Sequence, residues 1–163
     1  MIRVGIGTDI HRLEKGRPLF LGGMSLPWEK GLVGHSDGDC LIHALIDALL
    51  GAAGAGDIGR HFPDTDPAYQ GIQSAILLKR IRENILAEDS VIHNVDAVIT
   101  AEQPRLAAYI PAMESRLAEI LEIPSSRINI KAKTNEGIGA LGRGEAIAAF
   151  VVVLLQIPSC SSE

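Results

Sequence analysis

At the start of the chain, Ile2, Val4 and Ile6 alternate with Arg3, Gly5 and Gly7, and a period of two predicts a β-strand. Extending that strand puts Asp9 and His11 on one of its faces, two residues apart. The segment PLFLGGMSLPW sets two short apolar runs around Gly22 and Gly23, which predicts a hairpin. Ile42, Leu45, Ile46, Leu49, Leu50 and Ala53 then recur at helical spacing, and the sequence GAAGAG ends that helix. Ser36 or Asp37 is its expected N-cap, with His35 just outside. DIGRHFPDTDP reads as a loop, and Ser74 to Ala87 as a second amphipathic helix with Lys79, Arg80, Arg82 and Glu83 on its wet side. NVDAVITAE is a strand, PAMESRLAEILEI a helix with Pro111 near its first turn, and RINIKAKT another strand. TNEGIGALGRGE is a glycine-rich loop, and AIAAFVVVLLQI reads as a strand buried on both faces. This order predicts one α/β (α+β) domain over residues 1–157, with residues 158–163 as a flexible tail and no repeats or internal boundary.

Composition narrows the class. A chain of 163 residues, 47% hydrophobic and 21% charged, is long enough to bury one real core. With only 4% aromatic residues, that core must be aliphatic. The net charge of −5 and the lack of a Lys/Arg cluster argue against nucleic acid as a partner. Ala146 to Ile157 is the longest apolar run and is too short to span a bilayer, so no membrane partner is expected either. The strand pattern begins at once, so no signal or transit peptide is expected ahead of the fold. Cys40 and Cys160 are the only cysteines, without CxxC spacing; this suits a reducing, cytoplasmic setting.

The candidate chemistry is concentrated. Gly34 to Pro67 holds six of the nine Asp and three of the five His, with no Glu and one basic residue. At about 100° per residue, Asp39, His43 and Asp47 fall on one strip along the shoulder of the apolar face. Two readings follow. His43 is a core-edge histidine bonded to Asp47, or it joins Asp9 and His11 as a three-ligand site for Zn²⁺ with an open fourth position. On the second reading Asp47 accepts from the free ring nitrogen of His43 or His35. Cys40 points away from the strip and reads as a small buried hydrophobe.

The glycine-rich loop also admits two readings. It is a plain strand connection, or a phosphate cradle flanked by Lys131, Lys133, Thr134, Glu136 and Arg143. Its spacing matches neither the Walker loop nor the dinucleotide fingerprint. Glu136 among these cations is a candidate ligand for Mg²⁺, which prefers one or two carboxylates plus substrate phosphates.

GIGTDIHRL, HSDGDCLIHALIDALLGAAGAGDIGRHFPDTDP and KTNEGIGALGRGEAIAA, in that order, resemble the signature blocks of the 2-C-methyl-D-erythritol 2,4-cyclodiphosphate synthase family, from about Arg3 to about Leu155. The resemblance implies a homotrimer whose subunits each have a mixed sheet covered on one side by helices, with active sites between subunits. It implies conversion of 4-diphosphocytidyl-2-C-methyl-D-erythritol 2-phosphate to the cyclic diphosphate plus CMP, the substrate's 2-phosphate attacking its own β-phosphorus. Asp9, His11 and His43 then hold Zn²⁺, and Glu136 helps hold a second ion, Mg²⁺ or Mn²⁺, across the diphosphate. His35 and Thr134 steady the phosphates. Asp57, Gly59, Phe62 and Asp64 line the methylerythritol pocket. Ala101, Pro104, Arg105 and Leu106 receive the cytosine, while Lys133 and Arg143 face phosphates.

Four positions depart from that pattern: Thr8 where an aromatic is common, Ala146 for a glycine, and Ala140 and Phe150 where other side chains are frequent. They bear on a central cavity and on nucleotide packing, not on the metal ligands. Asp57, Asp64 and Asp66 also admit a reading as turn formers, which composition alone favours for two of the three, and Asp66 is kept as one. Two other functions fit parts of the chain: a metal-dependent nucleotide diphosphate hydrolase using water, and a metal-stabilised trimeric scaffold without turnover.

Overall fold

The fold is described by a computed structural model for residues 1–86 and 88–158. Cys160, Ala87 and all but the first residue of the expected tail lie outside the described residues. Among the described residues seven strands and five α-helices follow one another: β1 (Ile2–Lys15), β2 (Leu19–Leu21), β3 (Met24–Leu26), β4 (Lys30–Leu32), α1 (Cys40–Ala53), α2 (Ile58–His61), α3 (Ser74–Asn84), β5 (Val91–Thr100), α4 (Ile110–Leu121), β6 (Ile128–Lys133), α5 (Gly139–Gly142) and β7 (Ala146–Gln156). β2 and β3 form the expected hairpin apart from the main sheet, whose order is β4-β1-β7-β5-β6. The sheet is mixed: β1 runs antiparallel to β7 from Ile2↔Gln156 to Arg12↔Ala146, and β5 runs parallel to β6 through the α4 crossover.

The helices lie against one face. α1 packs on β1 and β7, α4 on β6, and α3 bridges α1 and α4. Leu41, Ile42, Leu45, Ile46, Leu49 and Leu50 of α1 are fully buried, so this helix is the centre of the aliphatic core.

The faces of β1 run against the usual rule for amphipathic strands. Ile2, Val4, Ile6 and Ile10 are 56%, 67%, 60% and 57% exposed, whereas Gly5 and Gly7 face the helices and are buried. The reason is space. A Cβ on Gly5 would lie 1.8 Å from the Ala48 carbonyl oxygen, and one on Gly7 1.9 Å from that of Ala44. α1 therefore rests on strand backbone, a contact only glycine permits.

β7 corrects a second expectation. Ile147, Ala149, Val151, Val153 and Leu155 are buried under α1, but Ala148, Val152 and Leu154 are only half-buried and Phe150 is exposed. Within one chain this strand is covered on one face, not both.

Smaller differences concern boundaries. β5 begins at Val91, three residues before the expected start, and α3 ends at Asn84. Arg82 is not on the wet side: it is half-buried and its Nε donates to the Leu121 carbonyl. The glycine-rich loop contains the single helical turn of α5, and Ile58–His61 forms another within the expected loop.

Candidate active site

Asp9 and His11 project from the helix-facing side of β1, in line with Gly5 and Gly7. Because those glycines let α1 sit on the strand, His43 in its first turn comes down directly over them. Asp9 Oδ2 lies 2.8 Å from His11 Nε2 and 3.0 Å from His43 Nδ1, and the two ring nitrogens are 3.1 Å apart. One ligand atom from each of the three residues falls within 4.8 Å of the others, the only such group among the described residues.

The backbone decides which nitrogen of His11 faces this group. Its Nδ1 is 2.5 Å from the Val33 carbonyl, which can only accept, so Nδ1 carries the hydrogen and Nε2 is the ligand atom. His43 turns Nε2 toward Ser74 Oγ at 2.8 Å and Ser36 Oγ at 3.0 Å. Burial disfavours the Asp9 carboxylate, yet its pairing with the His11 and His43 rings outweighs that and holds the carboxyl well below its usual range. Burial likewise opposes charge on His11, but Asp9 raises it above the ordinary histidine value. Two nitrogens and a carboxylate oxygen, half-buried and packed this closely, repel unless a cation or protons lie between them. The donor set fits a divalent metal, and two nitrogens with one oxygen suit Zn²⁺ with room for an outside ligand.

Both carboxylates of the strip are used structurally. Asp39, fully buried, caps α1 through Ile42 N at 3.1 Å and also accepts from Gly23 N at 2.7 Å, tying the hairpin to the helix. The expected caps Ser36 and Asp37 do not perform that task. Asp47 accepts from Ile58 N at 2.8 Å and fixes the start of α2. The expected Asp47–His43 bond is absent; Ser36 and Ser74 occupy the far side of that ring. Cys40 is buried away from the strip, as expected, and burial pushes its thiol up.

A cleft of about 420 Å³ opens beside the ligand group, lined by His35, Ser36, His43, Gly59, Phe62 and Asp64. Tyr69 meets Phe62 edge-on at 5.3 Å and helps form its wall. Asp57 does not line this cleft; it caps α2 through Arg60 N at 3.1 Å. Asp66 is the turn former expected of it, accepting from Ala68 N at 2.9 Å.

A separate cleft of about 340 Å³ gathers Ala101, Pro104, Arg105, Leu106, Lys133 and Thr134. Here the most useful residue was missed. Glu102 Oε1 accepts from Asn135 N at 2.9 Å and Gly137 N at 3.1 Å, pinning the glycine-rich loop to the end of β5. Glu136 is exposed, at φ 51°, and accepts from Thr134 Oγ1 at 2.8 Å. Lys131 leaves the expected cradle and pairs with Asp96 on the outer sheet face. Arg143 lies at a third depression with Trp28 and Glu102, and its guanidinium grips Glu145 with contacts of 2.7 and 3.1 Å. The expected site residues thus divide between clefts that one chain keeps apart.

The chain has many relatives. The profile of the YgbB family matches residues 2–156. The 2-C-methyl-D-erythritol 2,4-cyclodiphosphate synthase of Pelobacter propionicus is 51% identical over 94% of this chain and 98% of its own length, and that of Geotalea daltonii 54% over 95% and 91%. Among solved structures, a CDP-bound 2-C-methyl-D-erythritol 2,4-cyclodiphosphate synthase superposes with a TM-score of 0.86 at 41% identity, covering 94% of this chain and all of that one. The bifunctional IspDF of Campylobacter jejuni superposes at 0.92 and 40% identity, covering 98% of this chain but 43% of that longer one.

Proposed function

The chain belongs to the YgbB family, and from that membership and the chemistry of its site we infer that it forms 2-C-methyl-D-erythritol 2,4-cyclodiphosphate. The substrate is 4-diphosphocytidyl-2-C-methyl-D-erythritol 2-phosphate. An oxygen of its 2-phosphate attacks the β-phosphorus, one P–O bond forms, the anhydride bond to the α-phosphate breaks, and CMP leaves with that oxygen. No water is consumed. The substrate supplies its own nucleophile, so the protein's work is to fold it into an in-line geometry and offset its charge.

The observation that carries this reading is the convergence of Asp9, His11 and His43 on one point beside an apolar-walled cleft. A divalent cation there, Zn²⁺ on the donor chemistry, supplies positive charge to a phosphate. Around it, Gly59, Phe62 and Asp64 hold the methylerythritol unit, with Asp57 beside them at the start of α2. His35 and Thr134 steady phosphate oxygens. Ala101, Pro104, Arg105 and Leu106 receive the cytosine, and Lys133 faces the phosphates. Glu136 offers one carboxylate to a second ion, Mg²⁺ or Mn²⁺, whose remaining ligands come from the substrate. Arg143 reaches a phosphate only by leaving Glu145.

The reading includes a homotrimer with sites between subunits. Two features support it. The site residues are split among three depressions of one chain, and the outer sheet face carries exposed Ile2, Val4, Ile6, Ile10 and Phe150, a patch that favours cover by another copy. The cytoplasmic setting expected from the sequence belongs to the same reading.

The test is incubation of the purified protein with this substrate and Mg²⁺, followed by phosphorus NMR. CMP with two coupled phosphorus signals from a ring diphosphate is the expected result. CMP with a linear diphosphate makes water the nucleophile and the enzyme a hydrolase. No turnover with both Zn²⁺ and Mg²⁺ present leaves a metal-binding scaffold.

A further inference from the structure

We propose that Ser74, held by Asp37, is a positioning residue that fixes His43 as the Nε2–H tautomer and so presents a bare Nδ1 to the Asp9–His11 side. The proposal rests on the reading of that group as a metal centre.

Ser74 is fully buried. Its hydroxyl has one hydrogen, and its Oγ lies against Asp37 Oδ1, a carboxylate oxygen that only accepts. The same carboxylate takes the Ser74 backbone N–H at 3.0 Å through Oδ2. Both donors of Ser74 are therefore spent on Asp37. Facing His43 Nε2 at 2.8 Å, the oxygen of Ser74 has only lone pairs left, so the hydrogen between them belongs to the imidazole. Nδ1, 3.0 Å from Asp9 Oδ2, is then free to bind a cation. Ser36 Oγ stands 3.0 Å from the same Nε2 but has no carboxylate behind it to set its direction.

The three residues come from separate places: Asp37 from the loop before α1, His43 from the first turn of α1, Ser74 from the first turn of α3. Gln73, the N-cap position of α3, makes no side-chain cap bond. Asp37 therefore has two jobs, taking the end amide of α3 and orienting the hydroxyl of Ser74. A merely structural role stops at the first.

Two variants separate these roles. Ser74→Ala keeps the backbone bond to Asp37 and removes only the hydroxyl. Asp37→Asn keeps the shape; with its oxygen on the α3 amide, its NH₂ donates to Ser74 Oγ, which turns the Ser74 hydrogen toward His43 Nε2.

The measurement is ¹⁵N NMR of histidine-labelled, metal-free protein at mildly alkaline pH, together with Zn²⁺ affinity by chelator competition. Wild type shows His43 with a protonated Nε2 and a bare Nδ1. Asp37→Asn reverses that assignment, and Ser74→Ala gives a mixture. Both variants bind Zn²⁺ more weakly by roughly 10–100-fold, the usual cost of losing a partner behind a metal ligand. A wild-type His43 protonated at Nδ1, or an unchanged tautomer in a folded Ser74→Ala protein, overturns the proposal. If wild type shows the stated tautomer yet takes up no Zn²⁺, the metal reading falls while the Ser74–Asp37 assignment stands.

Discussion

The Asp9–His11–His43 group and the Thr134–Gly144 loop are built by opposite means. The first hangs on a long strand and the central helix, is half-buried, and has a bonded partner behind each imidazole. The second lies on an exposed loop with one helical turn, and its only acidic side chain in the proposed ion site, Glu136, is bonded to a neighbouring threonine. Rigid elements can place three ligand atoms without help, whereas a single exposed carboxylate completes an ion site only when a substrate brings the other ligands. Under the proposed function this contrast makes one ion resident and lets the other arrive with the diphosphate.

The sharpest way to break the contrast is to move α1. In Gly7→Ala the new Cβ would start 1.9 Å from Ala44 O, against the 3.4 Å where ordinary contact begins. The helix must retreat by an ångström or more, while metal–ligand distances tolerate about 0.2 Å. Zn²⁺ binding and turnover are expected to fall by more than about 100-fold, with about 1–3 kcal/mol of stability lost; metal analysis after chelator competition and denaturant unfolding check both.

Glu136→Gln strikes only the loop. Turnover is expected to drop by about 100-fold while Zn²⁺ content stays at the wild-type level. A simultaneous loss of Zn²⁺ in this variant would show that the two sites are not independent.

The next effect is one of pH. A proton on His11 Nε2 competes with the metal, and Asp9 raises the pKa of that imidazole above 6.5. Zn²⁺ affinity is therefore full above the raised value and falls about tenfold per pH unit below it. Decline should begin above pH 6.5. Asp9 stays ionised throughout, since its carboxyl is held low. Competition titrations across the neutral range measure the onset; one well below 6.5 would contradict the pairing.

The smallest effect belongs to Glu102→Ala, which frees the amides of Asn135 and Gly137. Losing about 1 kcal/mol of loop ordering should raise KM about fivefold and leave Zn²⁺ affinity unchanged. A steady-state titration with substrate is sufficient.

Several of these features were legible in the residues. Asp9 and His11 stand two apart on a strand, and the period of two puts them on one face wherever the strand lies. His43 is legible because it sits where the polar strip meets the apolar face. Ser74 carried no signal: a serine opening a helix reads as a cap, and nothing local says that it faces a histidine 31 positions earlier. Asp47 misled for a related reason. Helical spacing puts it one turn from His43, but its carboxylate found a closer donor in the Ile58 amide.

The sequence by itself determined the order of the main elements, the aliphatic core, the family and the three residues of the candidate metal group, because each is carried by periodicity or by residue type within short stretches. Only the tertiary structure decided which face of β1 is inside. Composition alone would turn Ile2, Val4 and Ile6 inward, yet the glycines go in, because there the core partner is helix backbone at a distance no side chain allows. The tertiary structure likewise decided which ring nitrogens face Asp9 and which clefts stay separate. Those depend on contacts between residues far apart in the chain, and local pattern contains no distance.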